Sequence, residues 1–211
     1  MAAASRFGFW AALAACAAAI GYIIPQLLQV AGMLADPWDR ILIFAPSLLL
    51  APCYVLAVAA AHAATPRDGK VWSVAALCLA ILYAADVSMM YVMQLGSVIP
   101  HDMRGEGAAV AWASCCAYGM PTMAVDLLGY TWMSASTLLL APAFPGGGRR
   151  RWLRGALVAN GLVGIPIFGQ LAWPELLYAA SPWIVTFPAA MILLALELGG
   201  ETPARADCRS P

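Results

Sequence analysis

The sequence predicts an all-α, polytopic transmembrane helical bundle, and three observations carry that expectation. Of 211 residues, 63% are hydrophobic and only 10% are charged, against about 25% charged in an ordinary soluble domain. The apolar residues gather into stretches that reach the about 20 residues needed to cross a bilayer. The breaks between them are short and rich in Pro, Gly and Arg, which supply turns. A soluble fold could not hide so much apolar surface, whereas lipid requires it.

Five stretches meet the length condition directly, at about 7–34, 41–64, 71–95, 152–172 and 176–198. The first begins after Arg6 and continues well past the length of a signal-peptide core, so it reads as a retained helix. The breaks are Asp36-Pro37-Trp38-Asp39-Arg40, Thr65-Pro66-Arg67-Asp68-Gly69-Lys70 and Gly146-Gly147-Gly148-Arg149-Arg150-Arg151.

The stretch 107–144 is too long for one span. As a single helix it would reach about 57 Å, and the hydrocarbon core is about 30 Å thick. Charge resolves it, because cytoplasmic loops are enriched in Lys and Arg. With six spans every basic residue except Arg40 and Arg104 falls on one side, including Arg6, Arg67, Lys70, the Arg149–Arg151 run, Arg205 and Arg209. A seventh span would split that set. The fourth span is therefore placed at 122–144, with 107–120 as an interfacial or re-entrant helix on the outer side and Gly119 and Pro121 supplying the break. The result is one bundle over 1–198 with both termini cytoplasmic, followed by a polar tail at 199–211 expected to be disordered.

Several classes are excluded. Net charge is zero, so no global field points to nucleic acid. The one lysine, Lys70, sits in a polar break and cannot be an intramembrane Schiff-base residue. No P-loop, G-x-S-x-G, H-E-x-x-H or G-x-G-x-x-G occurs. The cysteines lack metal-ligand spacing, and the adjacent Cys115 and Cys116 read as small core residues rather than a redox pair. The ten methionines suit Cu(I) chemically, but they also fill apolar cores, and neither metal nor cofactor is expected.

The informative residues are the acids at depth, because burying them is costly. Asp86 lies about 13 Å from the outer end of its span and Asp126 about 6 Å from the same boundary, by helix rise. Tyr83, Met89, Met90 and Met93 share the Asp86 face, and Met123 and Tyr130 share the Asp126 face. His101, Arg104, Trp173 and Glu175 fall at the same outer level. Together they predict an outer-half pocket whose acids anchor a ligand or deliver a proton. Asp126 could instead be a helix-start carboxylate, and Asp86 an interhelical hydrogen-bonding group.

The segments Asp126-Leu127-Leu128-Gly129-Tyr130-Thr131-Trp132-Met133-Ser134 and Leu140-Ala141-Pro142-Ala143-Phe144 resemble a group of small, uncharacterised bacterial polytopic membrane proteins. Pro37-Trp38-Asp39, Ile43-Phe44-Ala45-Pro46-Ser47 and Trp183-Ile184-Val185-Thr186-Phe187-Pro188 extend the likeness. The resemblance implies a bacterial inner-membrane bundle of about six helices and transfers no catalytic residue. Three functions are compatible: binding or transport of a hydrophobic small molecule or lipid, acid-initiated isoprenoid chemistry of the terpene-cyclase kind, and a structural or accessory subunit. Membrane lipids are the expected partners in all three.

Overall fold

The computed structural model describes residues 3–200, and these contain helices and connections but no strand. The long helices are α1 (Ala3–Val30), α2 (Trp38–Ala64), α3 (Lys70–Met93), α5 (Pro121–Leu140), α6 (Arg149–Gly169) and α8 (Trp183–Gly200); α4 (Ile99–Met103) and α7 (Leu177–Ala180) are short. Most of the long helices are apolar on every face, so no stripe distinguishes core from surroundings. That pattern suits hydrocarbon, where an α-helix satisfies its backbone internally. Large apolar side chains such as Trp10, Leu49, Met89 and Ile165 are accordingly exposed on the outside of the bundle.

Five helical segments are long and apolar enough to cross a membrane: Ser5–Val30, Trp38–Ala64, Arg67–Met103, Arg149–Gly169 and Pro174–Gly200. They coincide with the five stretches that hydropathy picks out directly. The sixth long helix, α5, spans about 30 Å by helix rise but is not among the five, as Asp126 and its Thr and Ser residues lower its hydropathy. It is nonetheless an integral member of the bundle, packed between α3 and α6.

The six long helices close into a ring. Contacts run α1–α2–α3–α5–α6–α8 and back to α1. Ser5 Oγ donates to Leu198 O at 2.5 Å where the ring closes. At the α5–α6 seam a Cβ on Gly161 would lie 2.5 Å from Leu138 Cβ, so the two backbones meet only because that position is glycine. The interior is filled by large side chains, among them Tyr54, Tyr83, Met133 and Phe187.

The ring has two distinct ends. One carries the start of α1, the end of α8 and the α2–α3 and α5–α6 connections; it is called here the arginine end. The other carries the α1–α2 connection, the α6–α8 connection and an irregular segment at 104–120, called here the strap.

The structure corrects several boundaries. α3 does not stop near residue 95. It passes through a π-helical turn, Gln94–Val98, into α4, so His101 and Asp102 are helical rather than in a loop. The expected helix at 107–120 is only a 3-10 helix at Gly107–Ala113 followed by non-helical chain. Helix cannot continue because the Gln94 side chain captures the local backbone groups, donating to Ala113 O at 2.7 Å and accepting from the Cys115 N–H at 3.0 Å. Gly119, with φ 88°, turns the chain into α5, and Pro121 takes the first helical position. At its other end α5 stops at Leu140 and gives way to a 3-10 turn around Pro142. α8 runs to Gly200, and the rest of the predicted tail, 201–211, lies outside the described residues.

Candidate functional site

Asp126 sits in the second turn of α5, near the strap end of the ring. Tyr91 of α3 donates its hydroxyl proton to Asp126 Oδ1 at 2.8 Å. The Tyr91 and Tyr130 hydroxyls are 3.1 Å apart. A phenol has one proton, so with Tyr91 committed to the carboxylate, Tyr130 donates into Tyr91. The result is a short relay, Tyr130 to Tyr91 to Asp126, spanning the α3–α5 interface.

Aromatic rings from the rest of the ring of helices surround this relay. Phe44 of α2 stacks on Tyr91 with centroids 5.6 Å apart. Tyr130 meets Tyr83 edge-on at 5.8 Å and Trp183 of α8 edge-on at 5.2 Å. Tyr22 of α1 meets Trp183 at 5.8 Å, and Phe187 stacks beneath the indole at 5.2 Å. Edge-to-face pairs of this kind contribute about 1 kcal/mol each beyond their area. Two of the enclosing side chains are polar and uncommitted. Tyr83 Oη and Trp183 Nε1 are buried with no hydrogen-bond partner among the described residues. A buried donor left unpaired costs about 1–3 kcal/mol, so the interior holds hydrogen-bonding capacity that the fold itself does not use.

A cavity of about 290 Å³ lies at the strap end, between the start of α5 and the end of α6. Met120, Met123, Leu127 and Leu171 give it an apolar lining, and Tyr118 and Gln170 add polar groups. Tyr118 Oη donates to Gln170 Oε1 at 2.9 Å across its wall. Burial, then the nearby Glu175 carboxylate, raises the Tyr118 phenol above its ordinary value, so it remains the neutral donor that this bond requires. Met123 and Leu127 line the cavity while Asp126 and Tyr130, on the same helix, face the relay.

Of the residues that sequence places in an outer pocket, the structure brings together Asp126, Tyr130 and Tyr83, with Met123 at the strap-end cavity and Met90 buried nearby on α3. Asp86 stands apart. It lies at the α3–α5 contact beside Gly129, where a Cβ would be 3.5 Å from its own Cβ, and it makes no hydrogen bond among the described residues. It is five residues before Tyr91, about 7.5 Å along the helix. Met89 and Met93 face outward from the bundle. His101 is occupied by Ser97 O of its own helix at 2.8 Å, and Arg104 pairs with Glu106 at 3.0 Å on the surface. Trp173 and Glu175 are exposed. The expected grouping of those residues with the two acids is therefore not formed, because helix rotation turns the methionines to the outside and local partners occupy the strap-end charges.

Sequence reasoning missed Tyr22, Tyr91, Phe44 and Trp183. Tyr83, Val87 and Tyr91 recur every four residues, a spacing that puts them on one helix face, and that was the available signal. It also missed Glu197, at the arginine end. Its side chain is only 5% exposed and is gripped by Arg149 Nε at 3.0 Å and Arg150 Nε at 2.7 Å. No group of three or more His, Cys, Asp or Glu side chains is placed to hold a metal among the described residues. No known protein family, curated protein or solved structure matches the chain. The fold and site define the class, a membrane helical bundle with a partly polar aromatic interior, and the function must be argued from that interior.

Proposed function

We propose that this is a six-span protein of the bacterial inner membrane, with both termini and the arginine end cytoplasmic, that binds or transports a hydrophobic small molecule or lipid through the strap-end cavity and the Asp126 cluster. The observation that carries the reading is the pairing of the Tyr130–Tyr91–Asp126 relay with two buried groups that have no partner among the described residues, Tyr83 Oη and Trp183 Nε1. A purely structural subunit gains nothing from leaving such groups unpaired, whereas a ligand with one polar head and an apolar body would satisfy both. The six-span orientation rests on loop charge and on α5 being long enough to span.

Native mass spectrometry of the purified protein tests the reading. Wild type is expected to retain a small molecule, and Asp126→Asn and Tyr83→Phe to purify folded with that molecule depleted. Equal retention in all three proteins would remove the Asp126 cluster from the binding site. Aromatic faces around a carboxyl group also favour acid-initiated chemistry on an isoprenoid. That alternative is recognised by conversion of an added polyprenyl substrate into an isomer of equal mass, lost in Asp126→Asn. Reporter fusions at 104–107 and at the C-terminus test the orientation, and an external C-terminus would overturn it.

A further inference from the structure

The strap contains the one non-glycine residue with a positive φ among the described residues, Cys116 at 121°. A side-chain-bearing residue occupies that region only when its surroundings hold it there. The holding element is at hand: Cys116 is disulfide-bonded to its chain neighbour Cys115. The bond closes a small covalent ring around their shared peptide unit and removes the backbone freedom through which Cys116 would relax. Cys116 is exposed and Cys115 partly buried.

The two sides of this ring have different jobs. Before it, the strap is fixed to the bundle: Gln94 holds Ala113 O and the Cys115 N–H, and Thr122 Oγ1 donates to Ser114 O at 2.6 Å. After it, Tyr118, Gly119 and Met120 form one wall of the 290 Å³ cavity, held by the Tyr118–Gln170 bond. The disulfide is thus the joint between an anchored segment and a cavity wall.

We propose that Cys115–Cys116 is a thiol–disulfide site, and that its reduction by a dithiol frees the 116–120 wall and opens the cavity. A thiolate of the dithiol attacks the exposed Cys116 sulfur, breaking the Cys115–Cys116 bond and forming a mixed disulfide; Cys115 leaves as a thiolate and takes up a proton. The second thiol of the reductant then attacks the mixed disulfide and releases Cys116 as a thiol. Two electrons pass to the protein, and the reductant departs as a disulfide. Freed of the ring, Cys116 returns to negative φ and redirects the chain that follows it. The inference uses the reading of the cavity as the ligand's entrance, but the movement itself is measurable with no ligand.

The test uses the full-length protein in nanodiscs, with dithiothreitol as the dithiol. N-ethylmaleimide labelling, resolved by peptide, is expected to modify neither Cys115 nor Cys116 before reduction and both after it. Amide exchange across 114–124 is expected to rise about tenfold on reduction, with α6 and α8 unchanged. Cys115→Ser/Cys116→Ser should show the faster exchange without reductant, and wild type with and without dithiothreitol carries the test if that variant does not fold. Labelling of Cys116 without reductant overturns the site. Exchange across 114–124 that is equal in oxidised and reduced protein overturns the joint. A rise in exchange with unchanged small-molecule retention would support the redox joint and count against the cavity as the entrance.

Discussion

At the arginine end, charge locks the ring; at the strap end, the segment beside the cavity is held by single neutral hydrogen bonds. Glu197 is clamped between Arg149 and Arg150. At the same end, His62 Nδ1 and Ser73 Oγ are 2.8 Å apart, and Lys70 Nζ donates to His62 O, tying α2 to α3. The strap end has charge-assisted ties of its own, among them Arg40 to Asp36 at 2.5 Å and to Asp102 at 2.6 Å and Gln29 to Asp39 at 2.9 Å, but these join α2 to α4 and α1 to α2 and bypass the strap. The strap depends on Gln94, Thr122 and Tyr118. Charge-assisted bonds are roughly twice as strong as neutral ones, so the two ends differ in local stability. The end that opens first is the one adjoining the cavity and the Asp126 relay.

The largest test of this contrast removes the clamp. Arg149→Met/Arg150→Met leaves the Glu197 carboxylate buried without partners, which costs about 3 kcal/mol. Thermal unfolding in detergent should fall accordingly, with the ligand-retention signal unchanged in the surviving folded fraction. Gly161→Val comes next. It drives a side chain into Leu138 across the α5–α6 seam and costs about 2 kcal/mol through overpacking, measured by the same unfolding.

Gln94→Leu should separate the two ends most cleanly. It strips partners from Ala113 O and the Cys115 N–H, at about 1–2 kcal/mol. The loss should read as faster amide exchange confined to 104–122, and exchange spread evenly over both ends would erase the contrast. Tyr91→Phe breaks the relay at about 1 kcal/mol. It should weaken small-molecule retention more than it lowers the unfolding temperature.

The smallest effect is in alkali. The Tyr118 phenol is raised in the folded protein, so its contribution is fully present below the pH at which it would ionise in the unfolded chain. It is lost as pH rises through the higher folded value. Tyrosinate absorbance should place Tyr118 above free tyrosine, and Gln170→Ala should leave exchange at the arginine end untouched.

Hydropathy by itself located the five apolar helices, because a bilayer demands length and apolarity that any window of sequence reveals. The cost of burying a carboxylate marked Asp126 in the same way. Partnership was beyond the reach of sequence. Helices apolar on every face have no moment to say which side turns inward. Nothing in the chain alone distinguished the buried Met90 from the exposed Met89, joined Asp126 to Tyr91 rather than to Asp86, or brought Glu197 against arginines nearly fifty residues away. Ring closure decided those pairings, because only the packing of α8 back onto α1 sets the rotation of each helix and so the side chains that share the interior.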